Sequence, residues 1–245
     1  TPVCMQESTD ANREQQVSLN QPKRDENLSK LAQTRRMSAV SEDKVLAEYA
    51  DVVVGFTAQL TPEEVTKLSA DPNVEGVYQD FFIQLEAQIE EARPGEFAPE
   101  GQTTPCAITN AGGSKKSSSE SWIWILDTGI DLDHPDLTVG NISPFAKSFI
   151  PGETCDDGNG HGTHVAGIAA AKNNNFGIVG VSAGALVIPV KVLANNGSAS
   201  FTYILQGLNH VAIYDSQNDV VNLSLGAYPV SNCPNNAALR TAILN

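Results

Sequence analysis

The feature that most constrains the fold is a regular alternation of apolar runs and helix-like segments beyond residue 121. Residues 122–126 form a continuous apolar run of strand length, and residues 185–193 and 220–225 are two more. Two helix patterns, 163–171 and 201–214, lie between these runs. Continuous apolar strands joined by helices are typical of a parallel sheet covered on both faces. The sequence therefore predicts an α/β fold with helices on both faces of the sheet.

The first hundred residues have a different pattern. Residues 90–101 string together charges, prolines and glycines without an apolar period, which is typical of a linker. Thr61 followed by Pro62 is a typical helix start, with Thr as the cap and Pro at the first position. We therefore predict a small α+β domain with its linker at 1–100 and a second domain at 101–245. The elements expected upstream are a strand at 3–6, a helix at 27–37, strands within 45–60, a helix from Thr61 that stops at residues 71–72, and a strand at 74–85.

Charge and hydropathy exclude two classes of partner. The formal net charge is −14, whereas non-specific nucleic-acid binding needs clustered Lys and Arg. No apolar run approaches the roughly 20 residues that cross a bilayer. No signal peptide opens the given sequence, whose true N-terminus is expected to lie further upstream. We expect a protein that binds neither nucleic acid nor membrane.

Four cysteines are scattered along the chain without C-x-x-C spacing, at Cys4, Cys106, Cys155 and Cys233. This spacing argues against a zinc ribbon or a thioredoxin-like site. Disulfides in an oxidising compartment and buried free thiols both remain open.

An acid and a histidine stand where catalytic groups gather. Asp127 directly follows the apolar run 122–126, and the carboxyl ends of parallel strands carry functional groups. His161 opens a helix of small residues, and a carboxylate can hold its imidazole in one tautomer. A structural histidine and a metal pair with His164 are the alternatives, although no third ligand completes a zinc site. Asp127 can therefore orient one of these two histidines as a general base, and the residues alone do not decide which one.

Three segments in order give the chain a family resemblance. Residues 127–137, DTGIDLDHPDL, resemble an aspartate motif, residues 160–170, GHGTHVAGIAA, a histidine motif, and residues 221–226, VNLSLG, a substrate-binding strand. Together they resemble a subtilisin-like serine protease, or subtilase. Residues 52–56, VVVGF, and 74–78, VEGVY, resemble strands of the family's N-terminal I9-type inhibitory propeptide. The resemblance implies a subtilisin-like parallel sheet after a ferredoxin-like propeptide domain, in a secreted, monomeric endopeptidase that acts on proteins and peptides. It also implies that Asp127 orients His161, that His161 acts as the general base, and that His164 packs structurally.

The resemblance also implies self-inhibition. Residues up to about Glu100 would template folding and then block the cleft with their C-terminal tail. Maturation is expected near Glu100 and Gly101. An ordinary N-terminal domain that is never removed is the alternative.

Substrate would bind along strand edges by backbone hydrogen bonds, where glycine permits close approach. By resemblance, the residues concerned are Gly197, Ser198, Ser224, Leu225 and Gly226. Ala199 stands where the family usually has glycine, which implies a narrower pocket. Residues 195–197 also have a composition typical of a turn, and the same segment can form a turn and bind substrate.

A structural calcium ion is the cofactor that the resemblance implies, because residues 172–178, which interrupt a helix with polar residues and a glycine, correspond to the calcium-binding loop of the family. A polar loop without an ion is the alternative. Oxygen donors suit calcium. By resemblance, the ligands are the side chains of Gln102, Asp136 and Asn174 and the carbonyls of Lys172, Phe176 and Ile178.

The nucleophile is expected outside this sequence. The family motif Gly-Thr-Ser-x-Ala does not occur in the 245 residues, and in the order Asp, His, Ser the serine comes last. We therefore expect a fragment that ends before the catalytic serine and is inactive by itself. The alternative is a catalytically inactive homologue that acts as a binding or inhibitor-like protein.

Overall fold

The computed structural model describes residues 3–85, 101–117, 121–226 and 237–244. Contacts divide the chain into two compact units. The first comprises Thr1–Phe82, Ser200–Tyr214 and Pro229–Asn245, and the second Ile83–Ala199 and Asp215–Tyr228. The helices are α1 (Val3–Met37), α2 (Pro62–Ala70), α3 (Cys106–Asn110), α4 (His161–Ala170), α5 (Phe201–Tyr214) and α6 (Ala237–Leu244). The strands are β1 (Val45–Tyr49), β2 (Gly55–Ala58), β3 (Phe82–Gln84), β4 (Lys115–Lys116), β5 (Trp122–Asp127), β6 (Thr138–Val139), β7 (Lys147–Ser148), β8 (Ser182–Ala183), β9 (Leu186–Lys191), β10 (Ser198–Ser200) and β11 (Val220–Asn222).

The first unit combines helices with an antiparallel hairpin of β1 and β2. Helix α2 begins as predicted: Thr61 Oγ1 accepts from Glu64 N–H, and Glu64 Oε2 accepts from Thr61 N–H. This reciprocal capping box satisfies two backbone donors that a helix start leaves free. Tyr49 is buried beside Thr57, and burial raises the pKa of its hydroxyl to about 12.

Two expectations for the N-terminal region are wrong. Residues 3–6 are not a strand, because α1 runs from Val3 to Met37 and includes Pro22. Of the strand expected within 74–85, only β3 forms. Alternating apolar residues show that a segment can become a strand, whereas a strand also needs a partner edge.

The second unit contains the predicted parallel sheet, which is confirmed. Strand β5 lies between β11 and β9, and β6 follows β9, with parallel pairing throughout. Strand β5 is almost completely buried, as its unbroken apolar run predicts. Its last residue, Asp127, is paired in register with Lys191 at the end of β9.

Helix α4 packs against this sheet through small residues. Gly162, Ala166 and Ala170 are buried along one face. A Cβ at Gly162 would overlap the carbonyl oxygen of Gly129 and lie 3.2 Å from the Asp127 Cβ. The small residues therefore bring the first turn of α4 against the loop that follows β5.

Candidate active site

The carboxylate of Asp127 lies at the carboxyl end of β5 and is completely buried. Its Oδ1 accepts a hydrogen bond from Thr128 N–H at 2.7 Å and lies 2.7 Å from Nδ1 of His161. Its Oδ2 is buried and has no hydrogen-bond partner among the residues that the structure describes. The fold thus brings the acid and the histidine of the sequence prediction into direct contact.

The imidazole of His161 is placed by the first residue of α4. Gly160 precedes it with φ +99°, a left-handed conformation that glycine adopts readily. The side chain of His161 is 21% exposed, so one part of the ring is reachable from solvent. Since Nδ1 faces the carboxylate, the opposite nitrogen, Nε2, is the atom that can exchange a proton with a reacting group.

Burial raises the pKa of the Asp127 carboxyl, and this effect outweighs the lowering by hydrogen bonds from His161 and Thr128. The negative charge of Asp157 raises it further. A buried carboxylate is costly unless a positive charge or donors balance it. Proton uptake by the imidazole therefore supplies the counter-charge that this carboxylate lacks.

The second histidine of the motif takes no part in this contact. His164 is exposed, and its backbone N–H donates to Gly160 O within the first turn of α4. Its side chain is therefore not packed, in contrast to the sequence expectation.

The predicted substrate segment at Gly197 and Ser198 forms a turn that leads into β10. Asn196 Oδ1 accepts from Ser198 N–H and Oγ, at 3.0 and 2.7 Å. Leu85 N–H donates to Gly197 O at 3.0 Å, and Gln84 Nε2 donates to Asn196 O at 2.9 Å. A segment of the same chain thus uses this edge through its backbone, as an extended peptide does when it adds to a sheet.

The other predicted substrate segment, 224–226, follows β11. Because β11 runs parallel to β5 with Asn222 opposite Ile125, this segment leaves the sheet at the edge where Asp127 lies. Asn222 Nδ2 donates to Ser224 Oγ at 2.8 Å. Both segments therefore extend from the carboxyl ends of strands in the second unit.

The predicted calcium ligands also meet in space. Four oxygens surround Nε2 of Gln102: Lys172 O at 2.6 Å, Ile178 O at 3.2 Å, Phe176 O at 3.3 Å and Asn174 Oδ1 at 3.4 Å. Together they form a cluster of hard acceptors around one polar hydrogen-bond donor.

Asp136 completes this cluster. Its buried carboxylate accepts from Asn174 Nδ2 at 2.8 Å. A Cβ at Gly177, whose φ is +60°, would lie 2.7 Å from Asp136 Oδ2, so glycine lets the loop close over the acid. Within the described residues no group of three or more His, Cys, Asp or Glu could hold a metal. Any ion here would be bound mainly by carbonyl and amide oxygens.

Sequence reasoning missed a buried lysine beside the site. Lys191 is fully buried. Its Nζ donates to Thr128 O and, at 2.8 Å, to Asn195 Oδ1, and it forms an ion pair with Glu153 at 3.2 Å. The available signal was a charged residue inside the apolar run 185–193. Buried charges in proteins are paired, so such a lysine indicates an acid nearby.

Among the residues that the structure describes, Cys106 and Cys155 are free thiols. Burial raises the pKa of the Cys155 thiol, against the lowering influence of Lys191 and Lys147. The side chain of Cys4 and the whole of Cys233 lie outside the described residues. The structure therefore bears on disulfide formation only for Cys106 and Cys155.

Comparison with known proteins assigns the family. A model of the subtilase family matches residues 118–243, and a model described as peptidase inhibitor I9 matches residues 3–86. The chain belongs to the subtilase family and carries an I9 propeptide region. The predicted resemblance is therefore confirmed.

Among curated relatives, M-protease of Shouchella clausii (strain KSM-K16) is 37% identical over 189 residues, which cover 76% of this chain and 45% of the relative. Subtilisin E of Bacillus subtilis (strain 168) is 33% identical over 205 residues, which cover 81% of this chain and 49% of that relative. The chain thus spans about half the length of these relatives. In the described part of the chain, no helix combines the length and apolar character that a membrane span requires.

Proposed function

We propose that this chain supplies the acid and the base of a serine endopeptidase that cleaves proteins and peptides. The observation that carries the proposal is the 2.7 Å contact between Asp127 Oδ1 and His161 Nδ1, made by a buried acid and a partly exposed ring. Family membership supports the same reaction class.

The roles follow from this geometry. With Nδ1–H donated to Asp127, Nε2 of His161 accepts the proton of a serine hydroxyl as that oxygen attacks the substrate carbonyl carbon. The same nitrogen then delivers the proton to the amine that leaves when the peptide bond breaks. Asp127 stays ionised and stabilises the imidazolium. The motif Gly-Thr-Ser-x-Ala is absent from these 245 residues, so the serine is proposed to lie elsewhere in the full-length protein, and this chain by itself is expected to be inactive.

The N-terminal region, residues 1–100, is proposed as the inhibitory propeptide, and residues 101–245 as the first part of the catalytic domain. The pairing of Gln84 and Leu85 with Asn196 and Gly197 supports occupation of the cleft by the propeptide. Maturation is proposed near Glu100 and Gly101, where Glu100 lies outside the described residues. We further propose a secreted monomer, in keeping with the net charge of −14.

Calcium binding at the Gln102 cluster is part of the proposal. Six oxygen-bearing groups, one of them a carboxylate, are the hard donors that calcium prefers. The residues that would hold the ion are Gln102, Asp136, Lys172, Asn174, Phe176 and Ile178. A bound ion would tie the loop at 172–178 to the start of the second domain.

A catalytically inactive homologue that binds or inhibits is the second candidate, favoured only by the missing nucleophile motif. The two candidates differ in self-processing. The test compares the full-length precursor with its His161→Ala and His164→Ala variants by intact mass and N-terminal sequencing of the products.

We expect the wild type and His164→Ala to release a fragment that begins near Gly101, and His161→Ala to remain uncleaved. His164 is the matched control, because it is a histidine of the same helical turn that is exposed. Cleavage by His161→Ala in cis would contradict the assigned base. A new N terminus within the first few residues after Leu85 would move the processing bond from Gly101 to the end of β3.

A further inference from the structure

Asp157 lies at the junction between the loop after β5 and the first turn of α4. Its Oδ1 accepts from Thr128 Oγ1 at 2.8 Å, from Gly160 N–H at 2.9 Å and from Asn159 N–H at 3.0 Å. Its Oδ2 accepts from Thr163 N–H at 2.9 Å and from Thr163 Oγ1 at 2.6 Å. Both oxygens are therefore engaged, and the donors come from both sides of the candidate active site.

These bonds join the two catalytic side chains through their immediate neighbours. Thr128 follows Asp127 in the chain, and its hydroxyl also accepts from Gly162 N–H at 3.0 Å. Thr163 is two residues after His161, and its hydroxyl accepts from Asp131 N–H at 2.9 Å. The carboxylate thus holds the end of the strand and the start of the helix in one hydrogen-bonded network.

The charge of Asp157 suits this position. Backbone N–H groups of a first helical turn have no partner within the helix, and a carboxylate there is favoured by the helix dipole. Charge-assisted hydrogen bonds are shorter and stronger than neutral ones. Burial acts to raise the pKa of the Asp157 carboxyl, but hydrogen bonds from Thr163, Gly160 and Thr128 outweigh it and lower the pKa. The group is therefore held as a carboxylate.

We propose that Asp157 is a positioning residue, which sets the Asp127–His161 contact through Thr128 and Thr163. The effect of Asp157 on catalysis rests on the proposed function. Its effect on structure concerns one hydrogen bond, between Asp127 and His161. Catalytic groups must be held to within about 0.5 Å of the productive geometry by neighbours that are themselves fixed. Asp157 is the group that fixes both neighbours.

The matched variants are Asp157→Asn and Asp156→Asn. Both remove one negative charge at adjacent positions. Asp156 is exposed, and its side chain accepts only a long 3.4 Å bond from Leu132 N–H among the described residues. Asn at position 157 keeps the size but replaces one acceptor oxygen by an amide donor, which would face N–H or O–H donors on either side. An effect of local charge alone would appear in both variants.

The first measurement is made on this chain and needs no catalysis. Nitrogen-15-edited proton NMR detects the Nδ1 proton of His161, whose low-field resonance reports the hydrogen bond to Asp127. We expect this resonance in the wild type and in Asp156→Asn, and its loss or upfield shift in Asp157→Asn. An unchanged resonance in Asp157→Asn would overturn the proposal.

If Asp157→Asn fails to fold, Thr163→Val and Thr163→Ser answer the same question. Valine removes the 2.6 Å hydroxyl bond to Asp157 and the acceptor of Asp131 N–H, whereas serine keeps both. We expect an upfield shift with valine and the wild-type resonance with serine. Equal resonances in these two variants would contradict the network.

The second measurement uses the full-length protein with a peptide substrate. A displacement of about 1 Å can reduce rates about 10²-fold, so kcat should fall about 10²-fold in Asp157→Asn with KM nearly unchanged. A merely structural role would lower the active fraction without changing the resonance. Inactivity of the wild type would refute the proposed function, while the NMR result would still decide the role of Asp157.

Discussion

Replacement of Gly162 by alanine tests whether α4 must lie against the end of β5. The added Cβ would overlap Gly129 O, a backbone oxygen that cannot rotate away, and would lie 3.2 Å from the Asp127 Cβ. A carbon–oxygen contact of this kind ordinarily lies at about 3.3 Å, so helix and loop must separate by about 1 Å. The separation acts directly on the distance between Asp127 and His161.

The expected loss of stability in Gly162→Ala follows from overpacking, which lowers the free energy of unfolding by about 1–3 kcal/mol and occasionally by more. We take about 3 kcal/mol, which lowers the melting temperature of a chain of this size by about 6–12 °C. Gly167→Ala is the control in the same helix, because its nearest neighbour would be Ile178 Cδ1 at 3.9 Å. There alanine should stabilise by about 1 kcal/mol through helix propensity.

Circular dichroism melting of the wild type, Gly162→Ala and Gly167→Ala measures both effects. The account requires a lower melting temperature for the first variant and a slightly higher one for the second. If Gly162→Ala melted at the wild-type temperature, close packing of α4 on the β5 loop would be refuted. Equal losses in both variants would show that contact with Gly129 O is not the cause of the loss at position 162.

The remaining predictions concern calcium and pH. Calcium should raise the melting temperature of the wild type by mass action. Asp136→Asn should abolish this rise, whereas Asn173→Ala, at an exposed neighbouring position, should keep it. A rise that survives in Asp136→Asn would contradict the calcium site. Because the pKa of Asp157 is lowered in the fold, its carboxylate adds stability above its usual pKa of 3.8, and this is lost as pH falls through the folded value. Urea unfolding below pH 4 should therefore show a flatter pH dependence for Asp157→Asn than for Asp156→Asn, and identical curves would refute the assignment.

Much of the second unit could be predicted because its sequence signals are local. The helix expected at 201–214 has those bounds in the structure, since its apolar face repeats over nearly four turns. Strand β5 follows from one unbroken apolar run. That Asp127 would contact a histidine was expected from the chemistry of the two residue types, whereas the choice of His161 over His164 came from the family resemblance.

The N-terminal region was harder for a physical reason. The early part of α1 is polar with little periodicity, so nothing in its pattern distinguishes helix from coil or strand. The bonds of Asp157 and Lys191 join segments about 30 to 60 residues apart, and such contacts leave no local pattern. A charged residue in an apolar run marks an interaction but does not name its partner.

The central claim is that Asp127 orients His161 to activate a serine. Its most direct test is the rate at which a fluorophosphonate probe labels the full-length protein, compared with Asp127→Asn and with Asp133→Asn, an exposed acid of the same loop. The account predicts labelling of the wild type and Asp133→Asn at similar rates, and a loss of about 10⁴-fold in Asp127→Asn. Equal labelling of all three proteins, or none of the wild type, would contradict it.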